Sequence, residues 1–353
     1  MQVHHLSHID LDGYGAQLVA KEIFDDIVFY NANYGKEVEV RLRNIIDNIK
    51  REIKSDFLIL ITDLNLNINE AKFLQDEVNL LNMSNKNIRL KLLDHHISGK
   101  ICAESFEWYY LDSSICASKI AFNVLKNEYG LSIEKNAWLA PFVEMINSVD
   151  TWREDGFAFD FGKVALGMIA QSREFIRFMF DDYDRTFKFN MLYEAKKYLL
   201  DSNNNLRENA NVNLDNNIFL FKKDLLGGDI NTQTMEEILS IKQIELLGQN
   251  KDEYSIFYKD KRGLLTYAIG GISILANLFL KENSEFDFFM DIGVKGNVSI
   301  RANGNCDVSM MSKELFGGGG HKNAAGGKFD GFKETFLYQE AKEQVINLIH
   351  SKE

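Results

Sequence analysis

Apolar positions in the first 150 residues switch between two periods. VHHL, IVFY, DFLILIT and IRLKLL are short continuous runs, whereas GYGAQLVAKEIF, EVEVRLRNIIDNIKREI and NEAKFLQDEVNLL carry apolar residues at helical spacing. DFLILIT is apolar without alternation, the pattern of a strand buried on both faces. FEWYYL is a further strand candidate, and helices are predicted around Ser114–Tyr129 and Asn136–Ser148. The only proline, Pro141, then falls near the start of the last helix, where a missing N–H is tolerated. Strand and helix in alternation predict right-handed βαβ units and an α/β fold, a parallel sheet with helices on both faces.

From about Phe157 to Leu206 the pattern is mostly helical, through FIRFMF and RTFKFNMLYEAKKYLL. The polar DSNNNLRENANVNLDNN is the best linker candidate, its first part compatible with a continuing helix. Beyond Ile218 short β-like runs (IFLF, YSIFY, LLTYAI, FDFFMDI, NVSIRA) alternate with helices near Met235–Leu247 and Ile272–Lys281. This predicts a smaller C-terminal α+β domain with a mixed sheet whose strand order the sequence does not reveal. The expected division is a first domain over 1–185, a helical and polar linker over 186–214, and a second domain over 215–353.

Composition narrows the function. With 353 residues and 45% hydrophobic content, there is enough apolar material to fill two cores. Forty basic against 52 acidic residues leave a net charge of −12, which argues against binding long duplex nucleic acid through many phosphate contacts. A local anion site is still compatible with it. The three cysteines, Cys102, Cys116 and Cys306, form no CxxC pair and read as free thiols of a reducing compartment. No apolar run reaches the roughly 18 residues of a membrane span, and the N-terminus lacks signal-peptide features, so a cytoplasmic protein is expected.

The candidate chemistry lies at strand ends. His8, Asp10 and Asp12 alternate after the first strand, Asp63 follows DFLILIT, Asp94, His95 and His96 follow IRLKLL, and Asp150 closes a helical segment in NSVDTW. In an open parallel sheet, ligands bind beyond the carboxyl ends of the strands. Crowded carboxylates repel one another, and a pair of divalent cations relieves that repulsion. A carboxylate and imidazole shell suits Mn²⁺, with Mg²⁺ or Fe²⁺ as alternatives, and no cysteine falls near these positions to make a thiolate zinc site. Each residue also has a plainer reading. Asp12 and Asp150 could be helix N-caps, Asp63 could cap the next helix, His8 could be a hydrogen-bonded loop histidine, and Asp-His-His could be coincidence. Coincidence at three strand ends at once is the weaker explanation. His4 and His5 are expected to be packing or supporting groups, and His350 to be solvated.

GGGGHKNAAGG has a reading of its own. Gly317 to Gly320 let backbone N–H groups approach an anion, His321 and Lys322 add donors, and Arg301 in NVSIRA offers a planar fork for phosphate. Ala324 and Ala325 are small enough for a following helix to pack closely. The alternative is a flexible glycine turn with an exposed arginine. Tyr14, Tyr34 and Phe316 lie beside these motifs and could stack on a base, but aromatic residues are more often core, and none is taken as a site residue.

HIDLDGYGA, the Asp of ITDLN, LLDHH and the Asp of NSVDTW resemble the four successive motifs of the DHH phosphoesterase superfamily, and NVSIRANG with FGGGGHKNAAGG resembles its associated C-terminal domain. The His8-x-Asp10-x-Asp12 spacing departs from the pattern of family II inorganic pyrophosphatases, which disfavours that activity. SHIDLDGYGA with YNAN downstream looks most like the oligoribonuclease, or nanoRNase, branch of the NrnB type. The resemblance implies one metal on His8, Asp10 and Asp63, and a second on Asp12, Asp63, His95 and Asp150, with Asp63 bridging. It implies His96 beside the scissile phosphate, Asp94 orienting the histidines, and Arg301, Gly318, Gly319, Gly320 and His321 at the substrate. Two Mn²⁺ or Mg²⁺ ions are the expected cofactors.

The expected activity is therefore metal-dependent hydrolysis of short RNA or DNA oligonucleotides to nucleoside 5′-monophosphates, with 3′-phosphoadenosine 5′-phosphate as a second substrate. A crevice between metal and anion sites would favour short chains. Rival readings are a cyclic- or linear-dinucleotide phosphodiesterase, a RecJ-like single-strand exonuclease, for which a basic channel is missing, and a nucleotide-sensing module without turnover. Either a monomer or a homodimer is compatible with the sequence.

Overall fold

The computed structural model of the chain describes residues 1–352. They form two compact units, one of Met1–Ser172 with Lys188–Ile218, the other of Arg173–Phe187 with the chain from Phe219 onward.

The first unit opens with alternating strands and helices: β1 (Gln2–Ser7), α1 (Leu11–Ile23), β2 (Ile27–Asn31), α2 (Lys36–Arg51), β3 (Asp56–Thr62), α3 (Ile68–Met83), β4 (Asn87–Asp94), α4 (Lys100–Ser105) and β5 (Tyr109–Leu111). Helices α5 (Ala117–Tyr129), α6 (Ile133–Asp150) and α7 (Phe159–Ala170) follow, then α8 (Arg177–Leu199) and α9 (Ala210–Leu225). The five strands are all parallel in the order β2-β1-β3-β4-β5, as the alternation predicts. β3 shows why this sheet needs two cores. Phe57, Ile59 and Ile61 pack with Leu42, Ile45, Ile46 and Ile49 of α2, while Leu58 and Leu60 pack with Ala16, Val19 and Ala20 of α1 and with Ile120 and Val143 of α5 and α6. Successive strand residues point to opposite faces, so a strand apolar throughout is one covered on both sides.

The strand order reverses between β1 and β3, where neighbouring connections leave on opposite sides and open a crevice at the strands' carboxyl ends. Gly13 permits a close approach there: a Cβ on it would collide with the His8 carbonyl. Pro141 lies well inside α6, because Ser132 caps that helix three residues earlier than the pattern indicated.

In the second unit, α10 (Met235–Gln249), β6 (Ser255–Tyr258), β7 (Lys261–Tyr267), α11 (Ser273–Glu282), β8 (Phe288–Ile292), β9 (Asn297–Ala302), α12 (Val308–Phe316), β10 (Gly319–His321), β11 (Ala324–Lys328) and α13 (Tyr338–His350) build a six-stranded sheet. Its order is β10-β11-β9-β8-β7-β6, mixed because only β7 and β8 run parallel. The IFLF run, expected to be β-like, lies inside α9. Leu214, Ile218, Phe221 and Leu225 share one face at helical spacing, and a four-residue window hides that longer period. Within the polar run over 201–217, α9 makes the second half helical, rather than the first.

Candidate metal centre and a glycine hairpin

Each strand of the first sheet that ends at the crevice delivers polar groups to it. β1 ends at Ser7, and the next residues carry His8, Asp10 and Asp12. Asp10 is the N-cap of α1, its Oδ1 accepting the Gly13 N–H at 2.9 Å. Asp12, in the first turn and buried, reaches the start of a different helix, where Oδ2 and Oδ1 accept the N–H groups of Ala117 (2.7 Å) and Ser118 (2.8 Å) of α5. Helix N-termini favour such an anion. β3 ends at Thr62, and Asp63 follows with a left-handed φ of +56°, a strained conformation of the kind found at functional sites. Asp63 does not cap α3; Asn67 does. Asp150 closes α6 and is not an N-cap either.

These groups converge. His8 Nδ1 lies 2.9 Å from Asp10 Oδ2 and 3.7 Å from Asp63 Oδ2. His95 Nε2 is 3.3 Å from Asp63 Oδ1 and 3.9 Å from Asp12 Oδ2, and its Nδ1 is 3.7 Å from Asp150 Oδ2. Three sets of ligand atoms, each within 4.8 Å of one another, could hold a metal ion: His8, Asp10 and Asp63; Asp12, His95 and Asp150; and Asp63, His95 and His96. Asp63 belongs to two of them. Asp94 belongs to none. Buried completely, it accepts from His96 Nδ1 (2.7 Å) and from the Tyr109 hydroxyl (2.6 Å).

The electrostatics show what the cluster lacks. Burial, reinforced by the charges of Asp12, Asp10 and Asp150, pushes the Asp63 carboxyl well above the usual range. Burial and the same two aspartates, Asp12 and Asp10, raise Asp150 to about 8. On Asp10 burial works upward too, but the neighbouring His8 prevails and holds it at about 2. Burial lowers His95, while on His96 it is outweighed by the Asp94 carboxylate, which raises the imidazole. Left alone, the cluster therefore keeps protons on some carboxylates to limit repulsion. His8 Nδ1, Asp63 Oδ2 and His95 Nε2 are also buried without a hydrogen-bond partner among the described residues, although His8 Nδ1 lies close to Asp10. Buried polar atoms in this state point to a missing partner, and oxygen and imidazole donors fit a hard or borderline divalent cation. Cys116 comes nearer than its sequence position indicated, since it precedes the Ala117 N–H that Asp12 binds. Burial, then Asp12, push its thiol well above its usual range, and it joins none of the three sets.

The supporting groups are as specific. His4 packs against Tyr30 and Phe57, with Nδ1 3.0 Å from the Tyr30 hydroxyl. His5 Nε2 meets Thr62 Oγ1 at 2.8 Å, next to Asp63. Tyr14 is core, edge-on to Phe189. Tyr34 is not core: its hydroxyl lies 2.9 Å from His96 Nε2 and its ring 4.4 Å from that of His8. Sequence reasoning passed over Tyr34, Asn33, Tyr109 and Gly99. The available signal was that NANYG sits at the carboxyl end of a strand, like the acidic motifs.

In the second unit the glycine motif is a β-hairpin, and Ala324 and Ala325 lie in its second strand, β11, rather than against a helix that directly follows. Gly319, Gly320 and His321 pair with Gly326, Ala325 and Ala324. The glycines serve close packing: a Cβ on Gly327 would stand 2.7 Å from Phe316 Cβ of the preceding helix α12, and Gly318 and Gly320 abut the backbone of β11. Gly317 ends α12 with φ +61°. The register then does something the motif does not announce. Arg301 of β9 pairs with Ala324, which pairs with His321. Directly paired residues share a face, so the guanidinium and the imidazole flank one small residue, roughly 10 Å apart across two strand spacings. Arg301 Nη2 is 3.1 Å from Ser273 Oγ, and His321 is exposed.

No protein-family model matches the chain. It is 53% identical over 352 residues, 99% of both chains, to the 3′,5′-cyclic-nucleotide phosphodiesterase of Helicobacter pylori. It is 24% identical over 332 residues, 92% of this chain and 72% of the relative, to the oligoribonuclease NrnB of Bacillus subtilis. The crystal structure of an uncharacterized protein from Helicobacter pylori superposes with a TM-score of 0.94 at 53% identity, covering 99% of each chain.

Proposed function

This chain belongs to the family of the Helicobacter pylori 3′,5′-cyclic-nucleotide phosphodiesterase, and from that premise we propose that it is a DHH-type phosphoesterase that hydrolyses phosphodiester bonds of small nucleotides, 3′,5′-cyclic nucleotides first among them. The chain is a hydrolase acting on phosphoester bonds. The observation that carries the reading is the gathering of four carboxylates, those of Asp12 and Asp63 buried, and three imidazoles, three of their atoms unpartnered, at the carboxyl ends of β1, β3 and β4 and of α6. Identity over nearly the full chain to a phosphodiesterase of cyclic nucleotides favours that substrate class over oligonucleotides.

His8, Asp10 and Asp63 would hold one divalent cation, Mn²⁺ by preference, and Asp12, His95 and Asp150, with Asp63 shared, a second. Bound there, such a pair supplies charge for phosphate oxygens and acidifies a water that attacks phosphorus. The chain's own residues do the rest. Asp12, anchored on the N-terminus of α5, and Asp63, held in its strained turn, keep oxygens aimed at the crevice without a rearrangement during reaction. His96, with Nδ1 committed to Asp94 and Nε2 facing the Tyr34 hydroxyl, is held in a fixed orientation beside the phosphate. Arg301 and His321 form the second anion-binding pair. Water adds to phosphorus, the P–O3′ bond breaks, and the proton from water ends on the O3′ that leaves. The product is a nucleoside 5′-monophosphate, whether the bond closes a cyclic nucleotide or joins two nucleotides.

Short oligonucleotides are the second reading, favoured by the likeness to NrnB and by a net charge of −12 that suits few phosphates better than many. One assay separates them. Purified protein with Mn²⁺ is given 3′,5′-cyclic AMP and GMP, RNA of two to five nucleotides, 3′-phosphoadenosine 5′-phosphate and cyclic dinucleotides, and the products are resolved. Faster turnover of cyclic mononucleotides supports the proposal, preference for short RNA replaces it with the second reading, and no hydrolysis with any divalent metal defeats both.

A further inference from the structure

Two residues that carry no metal-binding or acidic group sit between the two histidines that bracket the candidate centre. Asn33 and Tyr34 occupy the loop that leaves β2, and Gly35 (φ +89°) turns the chain into α2. The loop is tied down from below, where Asn33 N–H donates to Glu37 Oε2 at 2.9 Å.

Hydrogen-bond logic fixes what Asn33 does. Its Oδ1 faces the backbone N–H of Tyr34 at 2.9 Å and His8 Nε2 at 3.3 Å. A backbone N–H can only donate, so the side-chain atom facing it is the carbonyl oxygen and not the amide nitrogen. The same oxygen must then accept from His8, which makes Nε2 a donor to Asn33. Nδ1 is thereby turned toward Asp10 and Asp63. Partners of this kind set the tautomer and ring angle of a ligating histidine.

Tyr34 acts on the second histidine from the side opposite Asp94. Asp94 Oδ1 takes His96 Nδ1 at 2.7 Å, and the Tyr34 hydroxyl meets Nε2 at 2.9 Å, so the imidazole is gripped at both nitrogens. The Tyr34 ring leans on His8 at 4.4 Å between centroids and stands edge-on to His96 at 5.5 Å. It is 43% exposed, too open for a residue whose purpose is to fill core.

We propose that Asn33 and Tyr34 are the positioning pair of this site: Asn33 sets which nitrogen His8 turns toward the carboxylates, and Tyr34 holds the ring of His96 in register with the phosphate it is to meet. The meaning of the Tyr34 half for turnover rests on the phosphodiesterase reading; the Asn33 half does not.

The test uses the full chain and three conservative variants, each checked for wild-type unfolding behaviour. Calorimetric titration with Mn²⁺ should show Asn33→Ala binding 10- to 100-fold more weakly, the usual loss for a partner of a ligating histidine. Asn33→Asp keeps an acceptor for Nε2–H and should return to within about threefold of wild type. Imidazole ¹⁵N spectra without metal should show one sharp set of His8 ring signals in wild type and Asn33→Asp and broadened signals in Asn33→Ala. Tyr34→Phe should leave Mn²⁺ affinity within about threefold, lower kcat about tenfold with KM unchanged, and broaden the His96 ring signals. Wild-type Mn²⁺ affinity and His8 spectrum in Asn33→Ala overturn the proposal, and so do an unchanged kcat and His96 spectrum in Tyr34→Phe. A wild-type protein that hydrolyses no phosphoester, yet shows these affinity and spectral changes, overturns the proposed function and leaves the positioning pair standing.

Discussion

Tyr109 donates its phenolic proton to Asp94 Oδ2 at 2.6 Å, and it can do so only because Gly99 has no side chain. Any Cβ at Gly99 would overlap the Tyr109 oxygen and crowd the Asp94 carboxylate. A glycine two residues beyond the exposed Ile97 thus sets the position of a buried carboxylate, which in turn sets His96.

Gly99→Ala is therefore expected to displace Tyr109 and leave Asp94 short of one donor. The loss should be about 1–3 kcal/mol of stability, the cost of an unsatisfied buried group. Turnover should fall about tenfold, since His96 loses its support. Urea unfolding and steady-state kinetics check both; an unchanged kcat would mean that the Tyr109 bond does not reach the reaction.

Asp63→Asn should uncouple stability from function. Without divalent ions, a buried carboxyl raised by its environment weakens the fold as pH climbs above about 4, because the unfolded chain gives up its proton and the folded chain resists doing so. Removing that charge should stabilise the metal-free protein by roughly 1–3 kcal/mol. Mn²⁺ should raise the wild-type Tm by mass action and the variant's hardly at all. Hydrolysis should disappear. Equal Mn²⁺ shifts in the two proteins would exclude Asp63 as a shared ligand.

His4 supplies a pH dependence far from the site chemistry. Burial, its largest influence, lowers this imidazole from 6.5 to about 4. A depressed folded pKa means that the stabilising contribution is whole above pH 6.5 and is lost as pH falls toward 4, where the unfolded chain has taken up the proton first. The full difference is about 3 kcal/mol at 1.36 kcal/mol per unit. Denaturant midpoints between pH 7 and pH 4 should fall more steeply in wild type than in His4→Gln. Parallel slopes would show that His4 is not what titrates.

Arg301→Ala and His321→Ala should each raise KM about tenfold or more, the loss of one charge-assisted contact to phosphate. Mn²⁺ affinity measured by calorimetry should not change. A pure loss of kcat at constant KM would instead remove these residues from substrate binding.

The acidic motifs and the alternation of apolar runs were legible without coordinates because both are local: periodicity reports which sides of an element are buried, and chain order alone places strand ends beside loops. The Asp63, Asp94 and His95 positions needed only that. Asp10 as the cap of α1, Asp12 on the start of α5, and Asn67 as the cap of α3 were not distinguishable by residue type, since any of these side chains can accept an N–H.

By itself the sequence determined a parallel sheet with helices on both faces, a second mixed-sheet unit, and a set of carboxylates and imidazoles at strand ends. Tertiary structure alone decided that the glycine run is a hairpin packed on α12, that Arg301 and His321 share a row, and that Tyr34 meets His96 across 62 residues. The reason is that sheet order, register and side-chain partners depend on how distant segments pack. A local pattern of burial records that each segment has a partner, but not which one.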